Sequence, residues 1–346
     1  MAKKATIGTI ADVTGLSLAT VSRALSGSDA VLPHTRDKVL QVAKRLNYVR
    51  DRAAVRLKTG KTWVVAFIMD RRDVNQPAFK DLLLGVSDTL SGTEYHMIVL
   101  PDDKGSDPLA SLRYVVERGL ADAIVISHIS PEDPRVKYLL DKKFPFCTHG
   151  RTRLTKARKN GEVAAVEHPF VDFANEAYAD AAVAALVARG RKRLGILLPH
   201  EGATFRQHLL EGFTAACKKY GAQGQAVSNL DTDGSPDHIY SWAAKQAKQY
   251  DGLVATRESI LVALMGGLTD CGLTPGAQID VVSKYSTSLP LYMRQPLLGC
   301  FEDIALTGRL IAQNILHQLD ASQGGAPANT LLSPPTIEVL HEQTKP

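Results

Sequence analysis

Cysteine is scarce in this chain: Cys147, Cys217, Cys271 and Cys300 stand far apart, with no CxxC pair among them. That spacing supports neither a zinc ribbon nor a disulfide framework, so each is expected as a small buried hydrophobe, and no metal or cofactor is expected. Long apolar runs are also missing. The opening MAKKATIGTI has no stretch fit for a signal peptide, and no window approaches a membrane span, so the expected compartment is the cytoplasm. The signatures of common catalytic sites are absent too: there is no HExxH or GxSxG, and no GxGxxG follows a strand. Gly60, Lys61 and Thr62 copy the end of a phosphate-binding loop, but Val55 occupies the first glycine position and a strand follows in place of a helix. These absences argue against an enzyme.

What is present is concentrated at the amino terminus. Ile7, Ile10, Ala11 and Thr14 recur at helical spacing, with Thr6 placed to cap them. Gly15 supplies the left-handed residue that stops a helix, and Ser17 can cap a second one over Leu18 to Leu25. On that second helix Val21, Ala24 and Leu25 share an inner face, while Leu18, Ala19, Ser22 and Arg23 point outward. A short helix with small outward residues and one Arg, delivered at an angle by a glycine turn, fits a major groove. Val39, Val42, Ala43 and Leu46 predict a third amphipathic helix from about Pro33 to Leu46, which closes a three-helix core.

Charge points the same way. Residues 1–61 hold 12 Lys and Arg against 4 Asp and Glu, a net of +8, whereas the remainder holds 29 against 32. The overall +5 is thus a basic head on a slightly acidic body. Lys3, Lys4, Arg36, Lys38, Lys44, Arg50, Arg52, Arg56 and Lys58 are candidate phosphate contacts, which set affinity and salt dependence without reading sequence. Arg23 is placed to fork onto guanine, and Leu18 and Ala19 to touch thymine methyls.

The motifs ATVSRAL at Ala19–Leu25, TRDKVL at Thr35–Leu40 and LNYVRDRAAVRL at Leu46–Leu57, in this order and at the amino terminus, resemble the LacI/GalR family of bacterial transcription regulators. The resemblance implies an all-α helix-turn-helix headpiece (1–49), a hinge helix (50–61) and an α/β two-lobed, periplasmic-binding-protein-like effector domain (62–346). It implies a near-palindromic double-stranded DNA operator, a homodimer and a small-molecule effector as partners. Thr6, Ser17, Leu18, Ala19, Thr20, Ser22, Arg23, His34, Arg50, Arg52, Ala54 and Leu57 are the expected DNA-binding residues. Asp51 to Leu57 is too short to be a stable isolated helix, so it is expected to form on operator, with Leu57 wedged into the minor groove. Two departures stand out: Arg50 where most members have Pro, and Leu32 where a Ser or Thr usually caps the third helix.

From Trp63 apolar strands alternate with helices, a pattern that predicts parallel sheets covered on both faces. TWVVAFIM, YHMIVLP, ADAIVIS and FPFCTH read as the strands of a first lobe. VAAVEH, RLGILLP, QAVSNL, DGLVAT and QIDVVS read as those of a second. The strand LLGCFE and the helix Ile304 to Leu319 are expected to return to the first lobe, and a final pair around Thr330 to Leu340 to the second. The first lobe is then about 62–160 and 290–320, the second about 161–289 and 321–346.

Ligands of such sheets bind beyond the carboxyl ends of the strands. That rule gathers Asp70, Asn75, His149 and Arg151 from the first lobe. From the second it gathers Asp172, Phe205, Arg206, His208, Asp231, Arg257, Glu258 and Lys284. Charged groups interleaved with an aromatic suit a sugar or glycoside, because hydroxyls both donate and accept while a ring face covers CH groups. Against the better-known members of the family, Gly150 stands where an Asp is common and Ser283-Lys284-Tyr285 replaces Gly-Tyr/Phe-Asp, so the identity of the effector is not carried over from the lactose, purine or ribose regulators. A repressor of carbohydrate-utilisation genes is the expected function; the alternative is a sugar-binding protein or enzyme on the same two-lobed fold. The tetramer of the family's lactose regulator needs an appended leucine heptad tail, and with Leu340 six residues from Pro346 a dimer is expected, through first-lobe helices such as that near Pro77.

Overall fold

The computed structural model describes residues 5–49, 56–57, 59–71, 76–102, 107–157, 162–199, 201–230, 232–320, 329–334 and 336–341. It divides into two compact units, residues 1–62 and residues 63–346.

The first unit holds α1 (Ile7–Thr14), α2 (Leu18–Leu25) and α3 (Pro33–Arg45). Thr6 and Thr9 form a reciprocal capping box at the start of α1, and Gly15, at φ 72°, ends it. Ser17 Oγ accepts the Thr20 amide at 3.1 Å, so α2 starts where its cap dictates. Helix α3 has Pro33 in its first turn but no side-chain cap from Leu32, which stands exposed. Ile10, Val21, Ala24, Val31 and Val39 close the core. Two residues expected to face phosphates are tied to the fold. Lys38 Nζ donates to the Thr14 carbonyl at 2.9 Å and an Arg36 guanidinium nitrogen to the Ser28 carbonyl at 2.8 Å. Both satisfy carbonyls left open where α1 and the turn after α2 end.

The second unit begins with β1 (Val64–Asp70), α4 (Pro77–Leu90), β2 (His96–Asp102), α5 (Ala110–Glu117), β3 (Ala123–Ile126), α6 (Pro134–Asp141) and β4 (Phe146–His149). A hairpin, β5 (Thr155–Ala157) with β6 (Val163–Ala165), precedes β7 (Phe170–Phe173). Then come α7 (Asn175–Ala188), β8 (Arg193–Leu197), α8 (Thr204–Tyr220), β9 (Gln223–Ala226), α9 (Pro236–Gln246), β10 (Gly252–Ala255) and α10 (Leu261–Asp270). The chain closes with β11 (Asp280–Tyr285), α11 (Leu289–Met293), β12 (Leu297–Phe301), α12 (Ile304–Leu319), β13 (Thr330–Leu332) and β14 (Glu338–His341).

The strands make two six-stranded sheets in the orders β13-β7-β4-β3-β1-β2 and β14-β12-β11-β10-β8-β9. All neighbours are parallel except β14 against β12. Helices cover both faces of each, which is why strands such as Val64–Asp70 read as near-continuous apolar runs. The chain crosses between sheets after β7, after β12 and after β13. Helix α12 returns to the first lobe and packs on α4 through Gly85 and Gly308. A Cβ on either would fall inside a backbone carbonyl of the facing helix, that of Ala305 or of Leu82.

Three strand assignments are corrected by this topology. LLGCFE is β12 and stays in the second sheet, paired with β11, because the crossing follows it. Of the final pair, β13 completes the first sheet beside β7 and only β14 joins the second. VAAVEH contributes only the exposed hairpin strand β6. The strand that enters the first sheet is FVDF, buried from Val171 to Phe173. Asp172 therefore belongs to the first sheet. The lobe boundaries shift accordingly: hydrophobic alternation announces a strand, whereas its sheet is chosen by pairing with residues distant in sequence.

Candidate functional site

The facing carboxyl edges of the two sheets enclose a cavity of about 180 Å³. Its first-lobe wall carries Gln76, Ala78, Phe79 and Leu82 around the start of α4, Ser127, His128 and Ile129 after β3, His149, Gly150 and Arg151 after β4, and Asp172 on β7. Asn175, Thr204, Phe205, Thr256, Arg257, Lys284 and Glu302 face them, with Ile304 at the return crossing. The lobes meet at its rim, where Thr204 donates through both its amide (2.9 Å) and its hydroxyl (3.0 Å) to the Ile129 carbonyl.

Arg151 follows Gly150, whose φ of 108° turns the chain off β4. Its Nε donates to Asp172 Oδ2 at 2.6 Å, and Nη2 donates to both Glu176 oxygens, at 3.2 and 3.0 Å, and to His208 Nδ1 at 3.2 Å. Burial works against the guanidinium charge, but the hydrogen bond and charge of Asp172, joined by Glu176, raise its pKa above the ordinary value. His208 is held below the ordinary imidazole range by burial first and by the Arg151 charge second, against the pull of Glu176 and Asp172. It sits behind Arg151 and does not line the cavity.

Lys284, at the inner end of β11, donates to Asn175 Oδ1 at 2.9 Å and pairs with Glu302 at 3.0 Å. Its ammonium lies 5.0 Å from the Phe173 ring centroid. Arg257 is paired with Asp233.

Of the residues expected on this wall, His149, Arg151, Asp172, Phe205, Arg257 and Lys284 line the cavity. Others are used elsewhere. Glu258 is buried and accepts the Ser286 and Thr287 amides, at 3.3 and 3.2 Å, so it shapes the turn after β11. Arg206 donates to the Pro199 carbonyl at 2.5 Å, off the cavity. Asp70 is buried at the end of β1, near Arg135. Asn75 and Asp231 lie outside the described residues. Gln76, Asn175 and Glu302 were missed. Asn175 and Glu302 each follow a strand by one or two positions, the same rule that found the others.

Arg135 explains how His128 reaches the wall. It is buried between Asp133 (2.8 Å) and Asp102 (3.4 Å), and its Nη2 also donates to the Ser127 and His128 carbonyls, at 3.1 and 2.9 Å. Those bonds hold His128 at φ 51°, a conformation a side-chain-bearing residue adopts only when its surroundings over-determine it. Although burial alone would raise the Asp133 pKa, Arg135 brings it below the carboxylate range.

In the first unit Ser17, Leu18, Ala19, Arg23 and His34 are exposed, Thr20 and Ser22 half-buried, and Thr6 half-used as a cap. Leu18 is 58% and Leu57 91% exposed. Arg50, Arg52 and Ala54 lie outside the described residues. Leu18, Ala19 and Arg23 form one outward face of α2, clear of the Val21–Ala24 core face.

Residues 6–51 match the bacterial regulatory proteins of the lacI family, and residues 62–238 the periplasmic binding proteins and sugar binding domain of the LacI family. The chain belongs to the LacI family. Residues 183–340 also match a periplasmic binding protein-like domain. Among curated relatives, the HTH-type transcriptional regulator RafR of Escherichia coli is 30% identical over 309 residues, covering 83% of this chain and 88% of RafR. The HTH-type transcriptional regulator AglR of Rhizobium meliloti is 27% identical over 335 residues, covering 93% and 90%. Among solved structures, a lac repressor dimer bound to operator and the anti-inducer ONPF aligns with TM-score 0.80 at 18% identity, covering 97% of this chain and 98% of the other. A transcriptional regulator CelR–cellobiose complex aligns at 0.68 and 19%, covering 97% and 99%. Like its family, this LacI-type regulator is a DNA-binding transcriptional regulator and not an enzyme; α1–α3 form its helix-turn-helix and the two-sheet unit its periplasmic-binding-like body. Among the described residues no helix is long and apolar enough to cross a membrane.

Proposed function

We propose that this regulator is a cytoplasmic repressor of carbohydrate-utilisation genes that grips a near-palindromic operator as a homodimer and is released when a sugar or glycoside enters the cleft. The carrying observation is the cavity itself: polar groups from both lobes interleave with the Phe79 and Phe205 rings. Such a wall offers hydroxyls both donors and acceptors and gives sugar CH faces an aromatic surface. Because the wall is drawn from two lobes joined by three crossings, ligand and lobe closure are coupled, and a ligand preferring one closure state shifts the DNA-binding equilibrium. The relative solved with cellobiose shares this two-lobed body, which supports a saccharide here.

On the DNA side, Arg23 reads guanine, Leu18 and Ala19 contact thymine methyls, and Ser17, Thr20, Ser22, Thr6 and His34 reach phosphates or neighbouring edges. Arg50, Arg52, Ala54 and Leu57 act in the hinge, with Leu57 as the minor-groove wedge. In the cleft His149, Arg151, Asp172, Phe205, Arg257 and Lys284 act with Gln76, Asn175 and Glu302. The test begins with selection of operator sequences from a random duplex pool by the full-length protein. Gel shifts on the selected duplex then follow across a panel of mono- and oligosaccharides. Release by a saccharide is the expected result; a selected pool with no two-fold symmetry, or release by purines alone, overturns the reading.

A further inference from the structure

The cations on the cavity wall are already spoken for. Arg151, Arg257 and Lys284 are its Arg and Lys side chains among the described residues. Arg151 is engaged by Asp172 at 2.6 Å and Glu176 at 3.0 Å, Lys284 by Glu302 at 3.0 Å, and Arg257 by Asp233. Three cations are thus matched by four carboxylates, of which Asp172 and Glu302 line the cavity. The donors of Lys284 are directed at Glu302, at Asn175 Oδ1 and over the Phe173 ring, and an ammonium has only three.

We propose that this cleft takes an uncharged sugar and rejects the phosphorylated and carboxylated forms of the same sugar; the proposal rests on reading the cleft as the effector site. An anionic ligand would have to draw a cation away from its carboxylate. Asp172 is only 4% exposed, and a carboxylate left buried without its partner is strongly unfavourable. Were the pairs kept intact, the anion would sit against the Asp172 and Glu302 carboxylates on the wall, with every cation there already neutralised, in a site that screens charge poorly. A hydroxyl meets neither penalty, since it takes up remaining lone pairs and N–H groups without breaking a pair. Selectivity then comes from repulsion of the wrong ligand as much as from attraction of the right one.

The experiment is calorimetric titration of the full-length protein at pH 8, which keeps imidazolium charge out of the comparison. The probes are matched pairs: glucose and glucose 6-phosphate, galactose and galacturonate, cellobiose and cellobionate, with inorganic phosphate and hypoxanthine as further arms. The expected result is a neutral member that binds while its anionic partner is about a hundredfold weaker or silent. Glu302→Gln, which strips Lys284 of its carboxylate, is expected to strengthen binding of the anionic partner, or of inorganic phosphate, by about tenfold. That gain cannot come from misfolding, and it supports the proposal even if no neutral probe is the right sugar. An anionic partner that binds the wild type as tightly as the neutral one overturns the proposal and leaves the sugar reading standing, as does Glu302→Gln with no gain for any anion. Binding of hypoxanthine alone overturns the sugar reading, and the proposal with it.

Discussion

The headpiece and the two-lobed body put the same residue types to opposite uses. On α2 Arg23 stands exposed, facing outward with Leu18 and Ala19. In the body Arg135, Arg151 and Lys284 are withdrawn from water and each is matched to carboxylates within 3.4 Å. A charge kept in water is ready for a polyanion and sensitive to salt, whereas a charge paired in a poorly polarisable interior builds shape. The headpiece makes the distinction internally too, since Lys38 and Arg36 are turned onto backbone carbonyls.

The strongest way to break this contrast is with salt. Operator affinity is expected to fall about 10³-fold between 50 and 200 mM salt if some six phosphates are neutralised, while the thermal midpoint of the body barely moves. Equal sensitivity of both would erase the contrast. Next in size, Arg135→Met leaves Asp133 and Asp102 buried without their cation and is expected to destabilise the body by about 3–5 kcal/mol in urea unfolding. The same pair sets an acid limb. Because the folded Asp133 pKa lies below the unfolded one, the unfolded state binds more protons, so this contribution is complete above about pH 4 and fades as pH falls through the folded value. Arg135→Met is expected to flatten that limb.

Arg23→Ala is expected to cost about 1–3 kcal/mol of operator affinity and to relax preference at one guanine. Retention of full preference in quantitative gel shifts would remove Arg23 from the reading face. Smaller still, Leu32→Asp supplies the cap that α3 lacks and is expected to stabilise it by about 1 kcal/mol, read as slower hydrogen exchange at its first amides. Smallest is Arg153→Ala. Its pair with Glu211, at 2.5 Å, joins the segment after β4 to α8 but is exposed, so a double-mutant cycle should give less than about 1 kcal/mol, vanishing at high salt.

The headpiece was legible because its signals are local. Thr6, Gly15 and Ser17 cap or stop helices within four residues of where they stand, and the apolar spacing of Ile10, Val21 and Val39 closes one small core. In the body the strands and helices were legible for the same reason: the helices Pro77–Leu90 and Pro134–Asp141 begin at their prolines. What escaped was everything fixed by partners far along the chain. Nothing in LLGCFE says that it lies beside Asp280–Tyr285, and FVDF, four residues long, is too short to announce itself as a strand. The site rule found His149, Arg151 and Lys284 but could not tell a side chain aimed into the cavity from one, like Glu258 or Arg206, already bonded to a nearby turn.

The close crossing of Gly85 and Gly308 and the edge strand Thr330–Leu332 carry a further consequence for biosynthesis. The lobe that starts emerging from the ribosome first is completed by α12 and β13, which emerge after every strand of the opposite lobe except β14. Its opening strands must therefore wait, partly uncovered, while the opposite lobe is translated from β8 to β12, and a holding chaperone has its natural substrate in that interval.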